Sequence, residues 1–302
     1  MNASNLSRRD FVKRTSLAAL ATTVLPGPVV QAAEPAKLPW KFCAFEKPVL
    51  FLSYTETADF FAELGFDGIE AAVRPGGHVL PERVEDDLPK FVEALKQRGL
   101  EITVLTSGIG AADQPHAEKV LRTAARLGIK RYRMDWWNYD LKRPIQSQLD
   151  ALRPKLRDLV ALNRSLGITG LYQNHAGYGR VGAVLWDIYS LIREYDARDV
   201  ALAFDIRHAA VEAGLSWPTL FHLVKEHIGV AYFKDFAWEQ DAVKNVPLGT
   251  GRVDRKYAGM LKESGFKGPI SLHVEYGSGT DRKVFAEAFR KDLATLKAWL
   301  TV

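Results

Sequence analysis

The 302-residue sequence predicts a single (β/α)8 barrel. Three observations support this. A polar amphipathic stretch that ends in Gly and runs at once into a short apolar segment recurs along the chain. The apolar segments are continuous runs of Val, Ile, Leu and Phe, which suits parallel strands covered on both faces. The length suits one α/β barrel of about 250 residues, and no linker or low-complexity tract follows residue 38.

The Gly-ended unit appears as Leu64-Gly65-Phe66, Arg98-Gly99-Leu100, Leu127-Gly128-Ile129, Leu166-Gly167-Ile168 and Ser264-Gly265-Phe266. The strands that follow or match this theme are expected at about 41–45, 68–73, 101–106, 130–135, 169–174, 200–205, 229–234 and 269–275. Between them lie helical stripes such as Leu149, Leu152, Leu156, Leu159 and Val160, with Pro154 expected to start or kink that helix. Phe285, Phe289, Leu293, Leu296 and Leu300 form the last stripe. Eight alternating units imply parallel strands and closure. The rival is an open doubly wound sheet, and its dinucleotide version is weakened because no GxGxxG opens any of the helices.

Residues 1–32 do not fit this alternation. Ser7-Arg8-Arg9-Asp10-Phe11-Val12-Lys13 precedes an apolar run over Leu17–Leu25, and Val30-Gln31-Ala32-Ala33 offers small residues for cleavage. The segment resembles a twin-arginine export signal. It divides the chain into a signal peptide over 1–32 and a barrel over 33–302. The expectation is export through the twin-arginine translocation machinery to the periplasm, without a stable membrane anchor, because no run approaches about 20 apolar residues. Arg8, Arg9, Lys13 and Arg14 against Asp10 give this segment a net charge of +3, so its removal lowers the chain from +5 to +2. That is too little for a nucleic-acid footprint. The single Cys43 excludes an intrachain disulfide and thiol-rich zinc sites.

A barrel concentrates function at the C-terminal ends of its strands. Polar residues at those ends are Glu70, Asp135, Gln173, Asn174, His175, Asp205, His208, Tyr232, Lys234, Asp235, His273 and Glu275, with Trp136, Trp137 and Trp238 in adjoining loops. Carboxylates and imidazoles converging from neighbouring strands can hold a divalent cation and move protons on a substrate. Trp faces suit the apolar faces of sugar rings. Each residue alone has a plainer reading, an Asp as a helix N-cap or a His as a structural group. The joint pattern carries the functional one.

The motifs of the C-terminal half name a family. Tyr232-Phe233-Lys234-Asp235, Pro247-Leu248-Gly249-Thr250-Gly251-Arg252-Val253-Asp254 and Gly265-Phe266-Lys267-Gly268-Pro269-Ile270-Ser271-Leu272-His273-Val274-Glu275 resemble the HVKD, PLGxGxVD and GYxGPISLExE signatures of xylose isomerase-like TIM barrel proteins, the sugar phosphate isomerase/epimerase group. Asp205-Ile206-Arg207-His208 resembles the family's DxxH, and Gly68-Ile69-Glu70 its strand-2 GxE. The resemblance implies a divalent metal (Mn, Mg or Zn) held from strands 5 to 8. Those positions here are Gln173, Asp205, Tyr232 and Glu275. Gln173 offers only a carbonyl oxygen, and Tyr232 a phenol with a pKa of about 10, so the metal set reduces to Gln173, Asp205 and Glu275. The implied catalytic residues are Glu275, His208, Lys234 and His175. Glu70, Asp135, Trp136 and His273 are the candidate substrate contacts.

The resemblance thus implies a carbohydrate isomerase or epimerase that acts by metal-assisted proton transfer next to a carbonyl. Its partner is a small-molecule carbohydrate. With Gln173 in place of a carboxylate, only Glu275 of a two-base pair is present, so a lyase performing β-elimination on 3-keto-glycosides stands beside it. A non-catalytic sugar-binding barrel is the third reading. A nucleic-acid-cleaving relative is excluded by the sparse histidines and the low charge.

Overall fold

The computed structural model describes residues 38–301, so the export signal expected over 1–32 lies outside the described residues. Eight parallel strands close into a barrel: β1 (Phe42–Phe45), β2 (Gly68–Val73), β3 (Glu101–Ser107), β4 (Arg131–Arg133), β5 (Thr169–Gln173), β6 (Val200–Asp205), β7 (Ile228–Phe233) and β10 (Ile270–Leu272). Neighbours around the ring run β1-β10-β7-β6-β5-β4-β3-β2, as in a single (β/α)8 TIM barrel. Helices lie between successive strands and follow the last one.

Local sequence accounts for these elements. Helix Tyr54–Glu63 opens with a capping box in which Ser53 and Glu56 each accept the other's backbone N–H. Helix Ile145–Leu166 ends at Gly167, whose φ of 62° is left-handed and costs a residue without a Cβ little. Gly65, Gly99, Gly128 and Gly265 hold the same place after other helices, with φ between 72° and 83°. Pro154 does not start its helix, which begins at Ile145 and carries the proline inside it.

Alternation along each strand places the site. Leu202 and Phe204 of β6 pack outward into the core shared with the helices, whereas Ala201 and Ala203 face the barrel interior with Val104, Leu171, Val230 and Tyr232. The inward series Ala201-Ala203-Asp205 and Val230-Tyr232-Lys234 both become polar toward the C-terminal end. Apolar filling therefore closes the lower barrel, and charge gathers at the upper mouth.

Two strands are shorter than the sequence suggests. The chain leaves the β4 ladder after Arg133 and the β10 ladder after Leu272, so Asp135 and Glu275 stand beyond the paired region. After β7 the chain forms an antiparallel hairpin, β8 (Asp235–Glu239) and β9 (Ala242–Val246), that the sequence reading did not foresee. Its tight turn carries Gln240 at φ 54°, without the Asn-Gly or Asp-Gly pair that usually marks such turns.

Asp235 ties this excursion down. Its Oδ1 accepts the N–H groups of Phe236 and Val253 at 2.8 and 2.9 Å, and its Oδ2 those of Gly249 and Gly251 at 3.0 and 2.9 Å. A Cβ at Gly251 would collide with the Phe236 carbonyl and the Asp235 carboxylate, which explains the second glycine of the Leu-Gly-Thr-Gly run. Asp235→Ala is expected to cost about 3 kcal/mol, since it strands four N–H donors, with Asp235→Asn intermediate. Urea unfolding of the three proteins measures this. Equal midpoints would show that the loop is held by other contacts.

Candidate active site

The floor of the mouth is built on Glu70, fully buried on β2. Its Oε1 accepts from Thr106 Oγ1 at 2.5 Å and from the Tyr232 hydroxyl at 2.9 Å. Its Oε2 accepts from Ser271 Oγ at 2.8 Å and His273 Nε2 at 3.0 Å. Arg133 Nη1 stands 3.8 Å away. Burial alone would raise the Glu70 pKa. The His273 imidazole, its hydrogen bond and the Arg133 guanidinium outweigh that and bring it down to about 2. Burial and Glu70 together push the Tyr232 phenol well up, so it stays a donor.

Above this floor, Lys234 bridges two carboxylates. Its Nζ lies 3.1 Å from Asp205 Oδ2 and 3.0 Å from Glu275 Oε2, and the side chain is only 5% exposed. Burial opposes the charge on Lys234, but Asp205 and Glu275 hold its pKa above the ordinary lysine value. Glu275 also takes Lys47 Nζ on Oε1 at 3.0 Å. Burial would raise the pKa of Glu275, yet Lys234, His273 and Lys47 hold it well below the usual carboxylate range. Gln173 completes the row. Its Oε1 accepts from Arg133 Nη1 at 2.8 Å and its Nε2 donates to Asp205 Oδ2 at 2.7 Å, an orientation fixed because a guanidinium only donates and a carboxylate accepts.

This donor set does not fit a divalent ion. The facing oxygens of Asp205 and Glu275 hold Lys234, the Gln173 carbonyl faces a guanidinium, and Tyr232 donates to Glu70. An ion here would meet two fixed positive charges. Among the described residues no group of three His, Cys, Asp or Glu side chains is arranged to hold a metal.

One side of the mouth is imidazole and indole. The rings of His175 and His208 lie 3.9 Å apart, and Trp136 lies 4.5 Å from His175. Arg207 Nη1 donates to His208 Nδ1 at 2.9 Å, which places the His208 proton on Nε2. His175 Nδ1 donates to the Ala176 carbonyl at 2.8 Å, which leaves its Nε2 an acceptor. Burial and Lys234 push His175 down to about 4 and His208 well below its ordinary value, so both are neutral at pH 7.

The structure thus brings Glu70, Gln173, His175, Asp205, His208, Lys234, His273, Glu275 and Trp136 to one mouth. Glu70 and His273, expected as substrate contacts, are buried in its floor, 0% and 1% exposed. Asp135 is exposed, and the hydrogen bond of its side chain goes to the N–H of Trp136. Sequence reasoning missed Lys47 and Arg133, and also Arg74, Arg180 and Arg207. Arg133 had a weak signal: a charged residue between the apolar Tyr132 and Met134 must find a partner if it is buried. The hollow lined by Lys41, Glu101, Lys130, Arg131 and Lys267 lies at the opposite end of the barrel and contains none of these groups.

An eight-stranded parallel α/β barrel with its charged residues gathered at the C-terminal mouth defines the class. Residues 58–299 match the family described as xylose isomerase-like TIM barrel, and the chain belongs to that family. Among solved structures, 3-keto-D-glucoside 4-epimerase of E. coli is similar, with 18% identity over 86% of this chain and 99% of that one and a TM-score of 0.66. A probable 3-DHS dehydratase involved in petrobactin synthesis in Bacillus anthracis matches with 16% identity over 85% and 98% of the two chains and a TM-score of 0.66. A xylose isomerase-like TIM barrel protein of Mycobacterium smegmatis, solved in complex with magnesium, matches with 17% identity over 86% and 98% and a TM-score of 0.61. At these identities the likeness is one of fold. No curated protein matches the chain in sequence.

The Glu70 pKa makes stability depend on pH. A carboxyl held at about 2 when folded and 4.5 when unfolded contributes stability above pH 4.5 that is lost as the pH falls toward 2. The expected loss between pH 7 and pH 3 is about 2 kcal/mol, and Glu70→Gln, though less stable at pH 7, should lack it. Urea midpoints of both proteins between pH 7 and pH 3 measure this. Parallel profiles would contradict it.

Proposed function

We propose that this barrel catalyses proton transfer next to the carbonyl of a sugar, with the Lys234 ammonium in the electrostatic role a divalent ion would otherwise fill. The observation that carries this reading is Lys234 Nζ held 3.1 Å from Asp205 and 3.0 Å from Glu275. When Glu275 removes a proton from the carbon beside the carbonyl, it becomes neutral and loosens its hold on Lys234. The ammonium is then free to face the oxyanion that forms. One ion pair replaces another, and the net charge of the buried site does not change. The Nε2–H of neutral His208 is a second donor for that oxyanion.

Gln173 narrows the reaction. Its amide cannot take a proton, so Glu275 is the one carboxylate of the expected pair that can act as a base. One base supports isomerisation through an enediol, or β-elimination, over epimerisation by two opposed bases. The E. coli neighbour is named for inversion at the carbon beside a ketone, and the Bacillus neighbour for loss of water, so the fold hosts chemistry of this type. Trp136 offers an aromatic face for a sugar ring. A metal-assisted version would require Asp205, Glu275 and the Gln173 carbonyl to give up Lys234 and Arg133 as partners.

The test is proton exchange. Free ketoses and 3-keto-glucosides are incubated with the protein in D2O containing EDTA, and loss of the proton beside the carbonyl is followed by NMR. Exchange should persist in EDTA and fall by roughly 10²-fold or more in Glu275→Gln and Lys234→Met. Exchange that stops on chelation and returns with Mn²⁺ would overturn the metal-free assignment.

A further inference from the structure

The mouth has more hydrogen-bond donors than it can satisfy. Arg133 Nε, Trp136 Nε1 and His208 Nε2 are buried and have no partner among the described residues. All three are donors, since the His208 proton sits on Nε2. Arginines with no carboxylate partner stand around them. The Arg74 side chain makes no hydrogen bond or ion pair among the described residues and lies 5.9 Å over the Phe45 ring, with Arg133 5.3 Å over the same ring. Arg133 and Arg180 in turn share the Trp136 ring, at 5.7 and 4.6 Å. Arg180 bonds Asn138, and Arg207 bonds Asn245 and His208, all neutral partners. Of the nearby carboxylates, Glu70 accepts four hydrogen bonds, Glu275 holds Lys47 and Lys234, and the exposed Asp135 takes the Trp136 N–H.

Arg133 has Glu70 at 3.8 Å, but Arg74, Arg180 and Arg207 make no ion pair with a carboxylate among the described residues. Guanidinium groups gathered with so little counter-charge repel one another, and buried donors without acceptors carry a desolvation penalty. A neutral sugar is a partial remedy, because its carbonyl and ring oxygens accept but it brings no negative charge to the guanidinium groups. A group that only accepts and is negatively charged relieves both at once. We propose that the mouth takes an acidic sugar, one bearing a carboxylate or phosphate oxyanion, anchored by Arg74 and Arg133 beside Trp136. This rests on the reading of the mouth as a carbohydrate site and names the class of substrate for it.

Titration calorimetry tests this on the purified protein with D-glucuronate and D-galacturonate, their neutral counterparts D-glucose and D-galactose, and D-glucose 6-phosphate. The acidic sugars should bind at least about tenfold more tightly than the neutral ones, with the gap shrinking in high salt. The better of the carboxylate and phosphate arms identifies the oxyanion. Arg74→Ala should close the gap without lowering the melting temperature of the free protein, since its side chain bonds nothing there. Equal binding of neutral and acidic sugars, or an Arg74→Ala protein that keeps the preference, would overturn the proposal. The readout is separate from catalysis. Acidic-sugar binding without proton exchange would sink the reaction and leave this inference standing, and exchange on keto sugars with no acidic preference would do the reverse.

Discussion

Compensation of buried charge organises the mouth of this barrel. Strand alternation sends Glu70, Asp205 and Lys234 inward, and Glu275 joins them beyond β10. An unpaired charge in such a place would be prohibitive, and an ion pair is tolerated only where hydrogen bonds complete it. The chain meets this condition in two tiers. Glu70 is saturated by Thr106, Tyr232, Ser271 and His273, which come from three other strands and the end of one of them. Above it, Lys234 neutralises Asp205 and Glu275, with Gln173 bridging from Asp205 to Arg133.

The tiers divide structure from chemistry. In the lower one the Glu70 carboxylate already accepts four hydrogen bonds, so it acts as a rigid, charged foundation. The upper one has a partly exposed carboxylate, an ammonium with two exchangeable partners and a neutral imidazole with an unused N–H. Groups whose hydrogen bonds can be traded for bonds to a ligand are what a reaction site requires.

The fold was legible because its signals are local and repeated. Gly after a helical turn and a doubly buried strand need only neighbouring residues to be recognised, and all eight barrel strands lie where those signals put them. The site was legible in part. Acids and imidazoles stand out at strand ends, so Asp205, Lys234, His208 and Glu275 were found. Their relations were not, because pairing across the barrel is set by tertiary geometry. Lys234 could be taken for a catalytic acid but not for a bridge between two carboxylates, and Glu70 could be taken for a substrate contact because nothing local shows its four partners. Arg133 lies two residues from Arg131 and near Lys130, a basic stretch that looks solvated; Arg131 and Arg133 share a strand face, but Arg131 lines the hollow at the opposite end and Arg133 is buried toward the mouth. The β8–β9 hairpin was hidden by a turn of unusual composition.

Lys234 is proposed to supply the cation of this site, and divalent-ion binding tests that role most directly. Removal of the ammonium would leave Asp205 and Glu275 facing each other with Lys47, on the other oxygen of Glu275, as the remaining lysine, and two carboxylates so placed recruit a hard divalent ion. Calorimetric titration with Mn²⁺ of metal-stripped parent and Lys234→Ala proteins should show no specific binding to the parent and gain of a site in the variant. A parent protein that takes up one Mn²⁺ per chain, and loses it on Asp205→Ala, would contradict the account.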